Sequence, residues 1–239
     1  MPDNDFPLKT PALDTFSSAG VVRGAREILP IAVSVVIYGS VSGVLAREAG
    51  LSFAETALMS GLVFSGSLQF TALGIWATPL PVASLLLTAV ALNLRHLLLG
   101  AALRLRFSRF SNRQVYPSLL FMTDENWALS ISRFNRGERD GGHLLGGGIV
   151  VYLAWVGSNM LGHSAGSLFG DPERFGLDFA AVIVFSALLA LMFRGKRDIF
   201  PWAVAAGVAI AADRLLPGNW YIILGGLAGC LAGVWRYER

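Results

Sequence analysis

Long apolar runs recur along this chain and limit what it can fold into. They cover residues 28–46, 53–77, 80–103, 144–166, 175–193, 199–216 and 219–236, with a weaker run over 115–131 that is split by acids. A helix crosses the hydrocarbon core of a bilayer with roughly 17–25 apolar residues, so each of the seven stronger tracts is long enough. In lipid, backbone groups must bond within their own helix or around a closed barrel. These runs are continuous and do not alternate apolar with polar, which argues against a barrel. The expected fold is an all-α integral membrane protein, a polytopic helical bundle. Composition agrees: 54% of the 239 residues are hydrophobic, only 15% are charged, and the mean hydropathy is +0.58.

The formal charge of +3 does not point to nucleic acid. The basic residues sit in short stretches between apolar tracts, where they report topology. The one cysteine, Cys230, lies inside an apolar tract, so there is no disulfide framework and no CxxC motif. Residues 1–27 are polar and hold Asp3, Asp5 and Asp14. Such a lead is a poor start for a signal peptide, although Val44-Leu45-Ala46 imitates a cleavage site. The organisation read from this is a polar cytoplasmic segment, 1–27, and a single transmembrane domain, 28–239.

Topology turns on whether 53–77 crosses or dips in and returns. If it returns and 115–131 stays inside, the cytoplasmic side holds fifteen Lys and Arg against three outside, with Arg95 within the membrane. If both cross, the split is eleven against seven. The positive-inside rule favours the first and tract length the second. Both versions put the N- and C-termini in the cytoplasm and give six to eight crossings. Helix starts are visible in places. Ser52 and Glu55 form a capping box, Pro201 fits a first turn, and Asn219 is placed to cap the last tract.

Polar residues inside oil are the candidates for chemistry. Asn93, Arg95 and His96 interrupt the third tract, and Arg95 lies about 5 Å from its midpoint at 1.5 Å per residue. An intramembrane arginine costs at least ~2.5 kcal/mol on insertion scales, so a partner or a cargo is expected. Asn93 and His96 share a helix face, while Arg95 points elsewhere. The plain reading is an arginine paired with a carboxylate and an Asn–His bond between helices; the functional one is a substrate or proton path.

A second feature is Gly61, Ser65 and Gln69, spaced by four. It reads as a small, polar packing stripe, or as a helix broken at Ser65-Gly66-Ser67. A break exposes N–H groups at a half-helix N-terminus, which suits a carboxylate. A third is Asp124 and Glu125 beside Trp127. These acids can pair with Arg95, hold an ammonium or carry a proton, or they can simply favour a first turn capped by Thr123. Trp155, Asn159 and His163 form a polar-aromatic stripe. Gly39 with Gly43, and Gly225, Gly229 and Gly233, form ridges for close packing within the chain or against another subunit. No HExxH, Walker loop or GxSxG is present, and the three histidines are scattered, so neither an enzyme nor a metal site is expected and no cofactor is implied.

The stretches MSGLVFSGSLQF (59–70), LNLRHLLLGAAL (92–103) and FMTDENWAL (121–129), in this order, resemble the AzlC-type branched-chain amino acid permeases. The resemblance implies a multi-pass protein of the bacterial inner membrane. It implies export of valine, leucine, isoleucine and sometimes methionine, together with a small, separately encoded AzlD-type membrane subunit. It carries over onto Gly66, Gln69, Phe70, Asn93, Arg95, His96, Asp124 and Glu125. Leu68 stands where that pattern has serine, and Trp127 where phenylalanine is common.

The substrate chemistry is compatible. A branched-chain amino acid needs donors for its carboxylate, which the Ser65–Ser67 backbone, Gln69, Asn93 or Arg95 can offer. It needs apolar walls, for which Phe64, Leu68 and Phe70 are available. Uphill export without a nucleotide motif implies an ion gradient, and His96, Asp124 and Glu125 are the candidates for coupling to protons. The alternatives are a transporter of another small zwitterion or an organic acid, and a non-transporting membrane scaffold.

Overall fold

The computed structural model describes residues 15–166, 186, 189–190, 193, 195–216 and 220–237. The tract 175–193, apart from isolated positions, and the proposed cap Asn219 lie outside these residues. Within them the chain forms ten helices and no strand: α1 Ser18–Glu27, α2 Leu29–Glu48, α3 Phe53–Val63, α4 Gly66–Gly74, α5 Val82–Phe107, α6 Asn112–Leu120, α7 Asp124–Asn135, α8 Gly142–Ala165, α9 Lys196–Leu215 and α10 Trp220–Tyr237.

Three of these, α2, α5 and α8, are long and apolar enough to cross a bilayer by length and composition. At 1.5 Å per residue their 20, 26 and 24 residues reach about 30–39 Å. Other tracts are divided. The run 53–77 becomes α3 and α4, and 115–131 becomes parts of α6 and α7. None of these four, at 9 to 12 residues, spans the core alone. The divisions have local causes. Ser52 N–H donates to Glu55 at 2.7 Å and Glu55 N–H to Ser52 Oγ at 3.2 Å, the expected capping box on α3. Thr123 N–H donates to Asn126 Oδ1 at 2.7 Å, which caps α7 so that the two acids form its first turn. Pro201 is not in a first turn. Gly195, with φ +145°, lets α9 begin at Lys196, and Pro201 falls inside it as its sixth residue.

The chain divides into two compact units. The first holds residues 1–37 and 95–157. Its core is Leu103, Phe107, Met122, Phe134 and Leu144, with Phe107 edge-on to both Phe110 and Phe134. Residues 18–27 form a helix that packs tightly on α8: a Cβ on Gly146 would fall 1.8 Å from the Val21 carbonyl oxygen, and one on Gly24 would fall 2.1 Å from that of His143. Glycine permits this approach because it presents no Cβ.

The second unit holds residues 38–94 and 158–239. Gly39 and Gly43 pack on Ser158 and Asn159 of α8, and Gly162 on the Ser40 carbonyl. His163 Nε2–H donates to the Leu51 carbonyl at 2.9 Å, and its ring meets Phe53 edge-on. Gly225 and Gly229 of α10 face Ala205 and Ala209 of α9. Both glycine ridges are thus occupied inside the chain.

Candidate functional site

The candidate residues form two groups, one in each unit. In the second unit, α3 ends where Phe64 adopts a left-handed conformation, φ 39° and ψ 48°. A left-handed residue with a side chain costs roughly 1–2 kcal/mol. Ser65 is then extended, and α4 begins at Gly66. The broken-helix reading of 53–77 therefore holds, with the break at Phe64 and Ser65, the first residue of Ser65-Gly66-Ser67. The continuous stripe Gly61, Ser65, Gln69 does not form, because the helix stops within it.

Ser65 occupies the N-cap of α4, where a serine normally bonds a first-turn N–H. Its side chain makes no such bond, is only 4% exposed, and has no hydrogen-bond partner among the described residues. Buried hydroxyls are nearly always bonded, so this one is an exception. Gln69, 1% exposed, donates from Nε2 to Ser60 Oγ at 3.1 Å and so ties α4 back to α3. Phe70 is buried and stacks on Tyr38, with ring centroids 4.5 Å apart. One turn beyond Tyr38 on the same face of α2 lies Ser42, whose fully buried hydroxyl also has no partner among the described residues. Sequence reasoning missed Tyr38, Ser42 and Ser60; the i, i+4 spacing of Tyr38 and Ser42 in an apolar helix was the available signal. Asn93 belongs to this unit and is half-buried.

In the first unit, Arg95 Nη1 donates to Asp124 Oδ2 at 2.6 Å. The side chains are 40% and 49% exposed. The intramembrane arginine has the carboxylate partner that its cost demands, supplied by the first turn of α7. Trp127, one turn further on, donates from its indole N–H to the Leu99 carbonyl at 3.1 Å and fixes α7 on α5. His96 is half-buried, and Glu125 is exposed in the first turn of α7. The inward member of the acidic stretch is Asn126, which sequence reasoning passed over. It is 1% exposed and donates to the carbonyls of Phe121 and Leu144 at 2.9 and 3.0 Å.

Chemically, the second unit offers a half-helix N-terminus with an unsatisfied hydroxyl beside aromatic surface. The first offers a paired cation and carboxylate that can exchange partners.

Comparison with known proteins shows the family. Residues 30–169 match the family model described as AzlC protein. An uncharacterized membrane protein of Archaeoglobus fulgidus is 33% identical over 92% of this chain and 97% of its own length. The inner membrane protein YgaZ of Escherichia coli is 26% identical over 91% of each chain. The branched-chain amino acid transport protein AzlC of Bacillus subtilis is 24% identical over 90% of this chain and 87% of its own. No solved structure matches. A helical membrane chain with the Ser-Gly-Ser break, the Asn-Leu-Arg-His element and the Thr-Asp-Glu-Asn turn, matched by that model over more than half its length, belongs to the AzlC family.

Proposed function

We propose that this chain is the large subunit of a secondary transporter that exports branched-chain amino acids across a bacterial inner membrane. Valine, leucine and isoleucine are the substrates, with methionine as a further one. The observation that carries the reading is the break before α4, with a buried, unbonded Ser65 hydroxyl at a half-helix N-terminus. Such a terminus binds carboxylates through its N–H groups and the helix dipole. The name of the Bacillus subtilis relative supports the substrate class.

In this reading Ser65, Gly66, Ser67 and Gln69 take the substrate carboxylate, and Phe70 with Tyr38 supplies an apolar wall. Asn93 and Arg95 act as donors at another stage of the transport cycle. His96, Asp124 and Glu125 carry the proton whose gradient drives export. The chain makes six to eight crossings with both termini in the cytoplasm. It works with a small AzlD-type membrane subunit, which docks away from the two internally occupied glycine ridges.

The test is intracellular valine after cells are fed a valine-containing dipeptide, with and without this chain and its small partner. Lower accumulation in the presence of both is expected. Equal accumulation would remove the export reading, and a difference only with another amino acid or an organic acid would move the substrate class.

A further inference from the structure

The first unit holds a titratable cluster that the candidate site does not use. His143, the second residue of α8, is 4% exposed. Its Nε2 lies 3.0 Å from Glu27 Oε2, and its Nδ1 lies 3.2 Å from Ser130 Oγ. Glu27 also accepts from Arg133, at 2.7 Å from Nε and through a second contact from Nη2. Arg133 in turn pairs with Glu138, and Arg23, half exposed, stands 3.6 Å from Glu138. Glu27 also lines an open groove of about 560 Å³ on α1, with Arg23 and Arg26 at its rim.

The protonation pattern follows from the partners. A carboxylate only accepts, so in the charged ring Nε2–H donates to Glu27 and Nδ1–H donates to Ser130 Oγ. Glu27, Glu138, Arg133 and Arg23 sum to no net charge, and of these Glu27 is the one the ring touches. Only one side of the ring faces a group that touches the groove. In both topologies allowed by the charge count, residues 133–139 and the groove lie on the cytoplasmic side.

We propose that Glu27 and His143 form a proton-exchange site facing the cytoplasm, separate from His96, Asp124 and Glu125. The proposal rests on the transporter reading for its role, though not for its existence. On release, the Nε2–H bond of the imidazolium breaks and the proton passes to Glu27 Oε2. It then leaves to groove water, which becomes hydronium, while the neutral ring keeps its Nδ1–H toward Ser130. Nothing is oxidised or reduced.

The site is tested directly in the full chain held in lipid nanodiscs and labelled with ¹⁵N-histidine. The chain has three histidines, so the signal lost in His143→Gln identifies this one. Its ring ¹⁵N signals are expected to differ between acidic and neutral buffer, as proton exchange with the groove requires. Glu27→Gln is expected to change that response, because it removes the carboxylate that takes the Nε2 proton. A ring that keeps one protonation state in both buffers overturns the proposal, whether or not the chain transports. In vesicles carrying the chain and its partner, His143→Gln is expected to flatten the dependence of export on cytoplasmic-side pH. A wild-type profile in that variant overturns the role in coupling and leaves the transporter reading standing. No export by the wild-type chain defeats the transporter reading, and the ring titration still decides the proton site.

Discussion

Arg95 and Asp124 meet at 2.6 Å although 29 residues separate them in sequence. Their side chains are 40% and 49% exposed, so the pair is not sealed in a core. An arginine within the membrane that loses its carboxylate costs at least ~2.5 kcal/mol. Asp124→Asn should therefore lower protein levels more than Arg95→Ala, which removes the charge together with its need for a partner, and Arg95→Ala should lower transport per protein by about tenfold, the effect of ~1.4 kcal/mol on a barrier. Immunoblots of membranes beside export assays check this. Loss of the protein itself in both variants would make the pair structural.

Ser65 separates packing from binding more sharply. Removing a buried hydroxyl with no partner among the described residues also removes its desolvation penalty, so Ser65→Ala should stabilise the protein by about 1–3 kcal/mol. If that hydroxyl meets the substrate carboxylate, Ser65→Ala forfeits a charge-assisted hydrogen bond of ~1.5–3 kcal/mol, about tenfold or more in affinity. Thermal unfolding in detergent and substrate titration give the two numbers. Phe64→Gly should raise the melting temperature, since glycine takes the left-handed conformation at no steric cost. A lowered melting temperature would show that the aromatic side chain outweighs the strain.

Gln69 and Ser60 tie the two half-helices together across the break. Gln69→Leu leaves the Ser60 hydroxyl buried without that partner, a cost of ~1–3 kcal/mol. Ser60→Ala on that background should recover part of the loss, because an acceptor that is gone no longer needs a donor. A double-mutant cycle in chemical denaturation measures this coupling. Purely additive effects would mean that the bond carries nothing.

The residues tested so far show what was legible in the sequence. Hydropathy alone located α2, α5 and α8, because a bilayer demands long apolar runs. The Ser-Gly-Ser stretch announced a break and Ser65 lies in it, but the left-handed residue is Phe64, which no small residue marks. Arg95 advertised its need for a partner, and the acids at 124 and 125 were the nearest candidates in composition. Tyr38 was hidden because an aromatic in an apolar helix usually signifies packing. The Glu27–Arg133–His143 cluster was hidden for another reason. Its members lie up to 116 residues apart, and each looks like an ordinary loop or helix-end charge until folding joins them.

Glycines make a prediction that the sequence could not rank. Gly146 and Gly226 are both helical, yet a Cβ on Gly146 would strike the Val21 carbonyl, while one on Gly226 would meet nothing. Gly146→Ala should destabilise the protein by several kcal/mol or prevent its folding, in the manner of other overpacked sites. Gly226→Ala should be neutral or stabilising by up to about 1 kcal/mol from helix propensity. Melting temperatures in detergent compare them directly. Equal effects would mean that α1 does not rest on α8 as described.

Acid stability should report on Glu27. Burial raises its carboxyl, but the hydrogen bonds from His143 and Arg133, with their charges, outweigh burial and hold it below its ordinary value of 4.5. Burial likewise works against the Arg133 cation, and its bonds to Glu138 and Glu27 outweigh this and raise it further. A carboxyl lowered on folding stabilises the folded state fully above its unfolded value. That stabilisation is lost as pH falls through the folded value, because the folded state must then take up a proton it holds poorly. Arg133 stays charged throughout and adds no slope in this range. Wild type should therefore be more stable than Glu27→Gln at neutral pH, with the gap narrowing only once pH drops below about 4.5. Melting temperatures of both proteins across that range provide the measurement. A gap that stays constant into acid would mean that Glu27 is held by shape alone, and that its bonds to His143 and Arg133 contribute no net charge stabilisation.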